Sequence, residues 1–265
     1  MSTRWKTVVV VMATMLVTAS CGGSGSGPGG SSGGSSGGTL NVFAAASLTN
    51  AFGDLQKTYQ RQHPGWKVTL NLAGSDQLAA QIEQKAPADV FAAASTKYPE
   101  QLQGEKLLGK TTNFATNTLV LVTPKSNPAG IRTAQDLEKG DAKVVVADPA
   151  VPLGSYTETV LANLGIDETK LHIVSKEQDA ESVLAKLTSG EADAGFVYVT
   201  DALSQKAKLH EIQFPASADA TATYPIGIVS YSKNTKAAQQ WINLVNSPQG
   251  QAVLEQFGFG AAPTG

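Results

Sequence analysis

Four short segments of this chain stand directly ahead of a helical pattern: Ala46-Ser47-Leu48, Ala73-Gly74-Ser75-Asp76, Val151-Pro152-Leu153-Gly154-Ser155 and Gln178-Asp179-Ala180. Each follows an apolar run that reads as a strand. A serine at a helix start can satisfy free N–H groups, and that role is open to Ser47 and Ser75. A helix start is also a place for an anion. Its first N–H groups have no partner within the helix, and the helix dipole favours negative charge there. One such end carries little information. Four of them, two from each half of the chain, can converge on one small anion.

The elements that must position these ends alternate. "LNVFAAA" reads as a strand, and Leu48, Ala51, Phe52, Leu55 and Tyr59 recur at helical spacing until His63-Pro64-Gly65. "KVTLNLA" (strand), "SDQLAAQIEQK" (helix) and "DVFAAAS" (strand) complete a βαβαβ unit, which implies a parallel sheet. "TLVLVT" (Thr118–Thr123) leads into a second such unit. Its strands are "KVVVA", "LHIVS" and "AGFVYV", and its helices close at Gly165 and Gly190. "YPIGIVS" (Tyr224–Ser230) is a further strand, and two helical segments end the chain. Two α/β units joined by two extended segments predict two lobes and a hinge, with the last helices returning to the first lobe. Ligands of parallel sheets bind at the carboxyl ends of the strands.

"VFAAAS" occurs twice, at Val42–Ser47 and Val90–Ser95. After Ser47 the helical pattern begins at once. After Ser95 comes "TKYPEQL", in which Pro99 has no N–H to offer. The second copy therefore reads as a third strand of the same lobe, built of small residues for the same packing reason, and the first as the ligand-bearing one.

Ahead of the folded part, Met1–Ser20 carries Arg4 and Lys6 and then the apolar run Val8–Val17. That pattern is a signal sequence, too short for a spanning helix. Cys21, the only cysteine, follows it, so no intramolecular disulfide can form. The arrangement resembles a bacterial lipoprotein signal, with Thr18 where an aliphatic residue is usual. An ordinary secretory signal is the alternative. Gly22–Gly38 is a Gly/Ser tract, a flexible tether with a mean reach of roughly 20–25 Å. Removing the signal takes Arg4 and Lys6 and no acid, leaving 18 bases against 22 acids. With no Lys/Arg cluster, nucleic acid is not expected as a partner. The expected division is a signal over 1–20, a lipidated Cys21 and tether over 21–38, one lobe over 39–117 plus 227–265, and a second lobe over 118–226.

Taken in order, "VFAAASLTNAF", "LAGSDQLAAQIEQKAPADVFAAAS", "DPAVPLGSY" and "GFVYVTDAL" resemble the molybdate-binding protein (ModA) family. These are the periplasmic or lipid-anchored receptors of molybdate ABC transporters. The resemblance runs from about Leu40 to Phe259. It implies an α/β, two-lobed type II periplasmic-binding-protein fold, each lobe a mainly parallel sheet flanked by helices, with the ligand cleft between lobes. It also implies capture of molybdate or tungstate and delivery to the permease of an ABC importer. The protein is then not an enzyme and has no cofactor, and molybdenum enters only as the bound oxyanion, with no direct protein–metal ligand. A monomer outside the cytoplasm, lipid-anchored to the cell membrane through Cys21, is expected. Ser47 in "AAAS" matches the family's first ligand serine, and Ser75 in "AGSDQ" the second. Leu153 in "VPLG" and Ala180 in "QDAES" occupy positions that donate a backbone N–H. Tyr198 in "VYVTDA" matches the tyrosine whose hydroxyl reaches the ligand. Read from the residues alone, Tyr198 is first an aromatic packed in the core of a strand, and the resemblance gives it the ligand role. Asp76 stands where a neutral small residue is common, and Leu153 is bulkier than usual.

This residue set holds a dianion with neutral donors alone. Hydrogen bonds to a charged group contribute about 1.5–3 kcal/mol each. Molybdate and tungstate carry no proton near neutral pH and need only donors. Phosphate keeps a proton and needs an acceptor such as a carboxylate, which the set lacks, whereas sulfate can be refused only by size. Competing readings are a receptor for sulfate, phosphonate or a chelated metal, an enzyme acting on an oxyanion ester, and a structural lipoprotein or adhesin. The enzyme reading needs a base or a metal. His63, His172 and His210 are scattered outside the strand-end loops, and no H-E-x-x-H motif is present.

Overall fold

Residues 37–263, apart from Asp219, are described by a computed structural model of the chain. The expected signal, Cys21 and the Gly/Ser tract up to residue 36 lie outside the described residues. Among the described residues no helix is long and apolar enough to cross a membrane.

The first unit follows the alternation read from the sequence. β1 (Gly38–Ala45) leads through a 3-10 turn (Ala46–Leu48) into α1 (Thr49–Gln62), then β2 (Trp66–Ala73), α2 (Ser75–Glu83) and β3 (Val90–Ala92). β1 pairs in parallel with both β2 and β3, which places it between them. Side chains of a strand alternate between faces. On one face Leu40, Val42, Ala44, Val90 and Ala92 pack with Phe52, Leu55 and Tyr59 of α1. On the other, Phe43 and Phe91 pack with Leu78, Ala79 and Ile82 of α2. The two "VFAAAS" copies lie side by side in register: Val42 opposite Val90, Phe43 opposite Phe91, Ala44 opposite Ala92. The repeat is thus an echo of the fold. Its second copy does enter a helix, α3 (Lys97–Gly104), because Pro99 falls in the first turn, where a missing N–H costs nothing.

The second unit repeats the plan. β5 (Lys143–Ala147) pairs in parallel with β6 (His172–Glu177) and β7 (Ala194–Tyr198), with α4 (Pro152–Leu164) and α5 (Ala180–Ser189) between the strands. Gly165 and Gly190 take left-handed conformations (φ 68° and 79°) that close these helices. α6 (Val199–Ser204) and β8 (Leu209–Ile212) follow. The units are joined by two long strands. β4 (Thr112–Pro124) pairs antiparallel with β9 (Thr221–Ile228) as far as Thr118, and with β7 from Leu119 onward. The ladder therefore reads β2-β1-β3-β9-β4-β7-β5-β6, with β8 against β4. β4 starts at Thr112, ahead of the apolar "TLVLVT", because pairing to β9 extends it through the polar stretch "TNFATN". α7 (Thr235–Asn246) and α8 (Pro248–Gln256) return to α1: Tyr59 donates to the Ala237 carbonyl (3.1 Å), and Trp241 lies edge-on to Phe52 (5.4 Å).

Candidate anion-binding site

The parallel strands of each unit end together, and the residues that follow six of those ends line one cavity. Ala45–Ser47 come from the end of β1, Ala73–Ser75 from β2 and Ala94 from beyond β3. Val151–Leu153 follow β5, Asp179 and Ala180 follow β6, and Tyr198 ends β7. All five positions singled out by sequence, Ser47, Ser75, Leu153, Ala180 and Tyr198, are therefore neighbours in space. The cavity has a volume of about 20 Å³, little more than the roughly 10–15 Å³ that one water needs, so its occupant is small. No lysine or arginine is among the lining residues.

The two serines do not cap their helices. Gly74 is the N-cap of α2, Leu48 that of α1, and neither start has a side-chain cap. Ser75 Oγ accepts instead from the Ala94 N–H (3.1 Å), and Ser47 Oγ lies 2.9 Å from Tyr224 Oη. Ser75, having accepted, keeps its own hydrogen for another partner. The second "VFAAAS" copy so contributes to the cavity after all, through Ala94. In the other lobe Pro152 opens α4, leaving the Leu153 and Gly154 N–H groups without acceptors inside the helix. α5 does have a side-chain cap: Asp179 accepts from the Ser182 N–H (2.7 Å). The Ala180 N–H belongs to that same first turn. Leu153 is buried, with its side chain in the core and its N–H in the first turn of the helix.

Tyr198 is 1 % exposed, and its hydroxyl is one of four buried side-chain atoms without a hydrogen-bond partner among the described residues. Two others, Asp76 Oδ1 and Ser95 Oγ, belong to residues next in sequence to the lining residues Ser75 and Ala94. Buried polar groups are normally satisfied, so the unpartnered hydroxyl of the lining residue Tyr198 marks the cavity as a place for a polar partner. Burial, reinforced by Tyr224, Tyr156 and Asp201, pushes the Tyr198 phenol well above its ordinary value and keeps it a neutral donor.

One expectation needs correction. The donor-only residue set was to exclude carboxylates, yet Asp179 lines the cavity and Asp201 lies close behind it. Asp201 Oδ2 accepts from the Tyr198 N–H (3.2 Å). Burial, joined by Glu181 and Asp179, pushes the Asp201 carboxyl up to about 7, against the lowering effect of that N–H. The reason for these acids is local: both accept N–H groups at helix starts, where aspartate is favoured. The sequence reading also missed Asn117, Thr200 and Tyr224. They sit in strands or short helices that read as ordinary core, and only tertiary structure brings them behind Ser47.

Residues 40–260 match the family model described as bacterial extracellular solute-binding protein. The molybdate-binding protein ModA of Mycobacterium tuberculosis H37Rv is 38 % identical over 252 residues, covering 94 % of this chain and 95 % of that one. The chain belongs to the bacterial extracellular solute-binding proteins, in the molybdate-binding protein (ModA) family. A solved structure, the substrate-binding domain of a putative molybdenum ABC transporter from Clostridium difficile, is 32 % identical, with a TM-score of 0.65 over 85 % of this chain and 99 % of that one. The periplasmic molybdate-binding protein of Azotobacter vinelandii shares the fold at a TM-score of 0.75 and 23 % identity, covering 85 % of this chain and all of that one (100 %). Membership in the ModA family makes this chain a solute-binding protein with the α/β, two-lobed fold of the periplasmic receptors.

Proposed function

We propose that the protein captures molybdate, and tungstate with it, in the cavity between its lobes and hands it to the permease of an ABC importer, without enzymatic activity. The observation that carries the reading is the cavity itself. It is small, lined by strand ends from both lobes, free of lysine and arginine, and bordered by the unpartnered hydroxyl of a buried tyrosine. Ser47, Ser75 and Tyr198 supply hydroxyl hydrogens, and Leu153 and Ala180 supply N–H groups at helix starts. A tetrahedral dianion with no proton accepts all of them. The names borne by the relatives support the same ligand. The protein acts outside the cytoplasm as a monomer, tethered by a lipid on Cys21, whose replacement (Cys21→Ser) should release it from the membrane with binding intact.

Thermal melting with and without ligand tests the reading. A ligand present at about a hundred times its Kd adds roughly 2.7 kcal/mol to stability. Sodium molybdate at millimolar concentration should raise the melting temperature by several degrees, while sodium chloride of equal ionic strength leaves it in place. Equal melting in both salts would refute the assignment.

A further inference from the structure

We propose that Tyr224 is a positioning residue for this site: with Asn117 behind it, it fixes Ser47 as a hydrogen-bond donor toward the cavity. The inference rests on the anion-binding reading above and deepens it by assigning the direction of each hydrogen bond.

Asn117 is buried on β4, just where that strand changes partner from β9 to β7. Its Oδ1 accepts from the Thr118 N–H (3.1 Å). The other end of the amide, Nδ2, then faces Thr200 Oγ1 (2.9 Å) and Tyr224 Oη (3.4 Å). An amide nitrogen donates and does not accept. Tyr224 Oη therefore accepts from Asn117, and its own hydrogen is left for its other partner, Ser47 Oγ at 2.9 Å. In the reverse direction, with Ser47 donating, the Tyr224 hydrogen would have to turn to the Asn117 amide, donor against donor, or to the neighbouring Tyr198 hydroxyl, which the anion-binding reading keeps as a donor to the ligand. Ser47 thus accepts from Tyr224 and keeps its single hydrogen for a third group. Ser47 lines the cavity, so that hydrogen is available to an occupant.

Tyr224 is held for the task. It is fully buried, its ring edge-on to Phe259 (5.4 Å) and Phe114 (6.2 Å), and burial keeps its phenol protonated. Each bond in the sequence Asn117 to Tyr224 to Ser47 polarises the next in a low-dielectric interior. Such a relay strengthens Ser47 as a donor and favours a ligand oxygen that brings no hydrogen of its own.

A double-mutant cycle tests the proposal, using the full-length protein and sodium molybdate in calorimetric titrations. Tyr224→Phe removes the donor to Ser47 and keeps the ring. It should weaken binding about tenfold when Ser47 is present. In a Ser47→Ala background the same change should cost no more than about twofold, the scatter of additive effects. Asn117→Ala, which frees the Tyr224 hydroxyl to turn, should show the same dependence on Ser47 and carries the test alone if Tyr224→Phe does not fold. Thermal melts establish that every titrated variant is folded. Equal losses in both backgrounds, or no loss in either, overturn the proposal and leave Tyr224 as packing. A wild-type protein that binds no molybdate overturns the anion-binding reading itself, and that titration precedes all the variants.

Discussion

Backbone and side chain have separable roles at the residues of this cavity. Leu153 offers an N–H while its side chain fills the core. Leu153→Ala should therefore lower stability by about 2–5 kcal/mol, the usual range for a buried leucine, and change molybdate affinity by less than roughly tenfold. Tyr198→Phe should do the reverse. The hydroxyl it removes has no partner within the described residues, so stability should hold, while affinity should drop by about 1.5–3 kcal/mol. Melting and calorimetry on the two variants distinguish these outcomes; the opposite pattern would place the ligand elsewhere. Asp201 adds a pH dependence. Its carboxyl is raised from 3.8 to about 7, so the folded protein holds this proton more tightly than the unfolded chain. The stability linked to it is complete below about pH 4 and is lost as pH rises to about 7, on the order of 4 kcal/mol in all. Asp201→Asn should thus melt several degrees above wild type at pH 8 and close to it at pH 4.5. Binding follows the same sign, because a dianion beside a charged Asp201 is repelled. If the bound anion raises the Asp201 pKa by about one unit, molybdate Kd should increase about fivefold between pH 6 and pH 8, and Asp201→Asn should flatten that slope.

Helix starts and strand ends are the working elements, and one close approach couples them across the cleft. Gly74, the N-cap of α2, has ordinary backbone angles, but a Cβ there would lie 2.5 Å from Asp76 Oδ1 and 2.7 Å from the Gln178 carbonyl of the other lobe. A side-chain oxygen can turn aside; a backbone carbonyl moves only if the lobes part. Gly74→Ala should therefore weaken molybdate binding by more than about tenfold with the melting temperature of the free protein little changed, as calorimetry and melting can show. Much of this level was legible in the sequence. The 3.6-residue spacing of Phe52, Leu55 and Tyr59, the alternation in "KVTLNLA" and the glycines at 165 and 190 each mark an element that the structure contains. What stayed hidden was set by distant partners. The polar half of β4 is a strand only because β9 pairs with it, and α6, with six residues, is too short to show a period. The hydrogen bond between Ser47 and Tyr224 joins residues 177 positions apart, and no local pattern reports it. Asp179 stands in one of the four strand-end loops, but Asp201 reaches the back of the cavity only through its bond to the Tyr198 N–H.

At the scale of the whole molecule, the two βαβαβ units present their strand ends to each other, and the long strands β4 and β9 connect them. The contact is direct: Tyr98 of α3 donates to the Ala150 carbonyl ahead of α4, beside the cavity. On the proposed function, an anion held by donors from both sides would stabilise the arrangement in which they meet and so give a membrane partner one shape to recognise. The central claim is that a cavity without lysine or arginine, whose one lining carboxylate (Asp179) is engaged by the Ser182 N–H, selects through its neutral donors a tetrahedral dianion that carries no proton. Calorimetric titration of the wild-type protein at neutral pH with molybdate, sulfate and phosphate tests it most directly. Saturable one-to-one binding of molybdate is expected, with sulfate weaker through its smaller size and phosphate weaker still because its proton meets donors, the one lining carboxylate, Asp179, being engaged at the start of α5. Phosphate binding as tight as molybdate binding would contradict the claim.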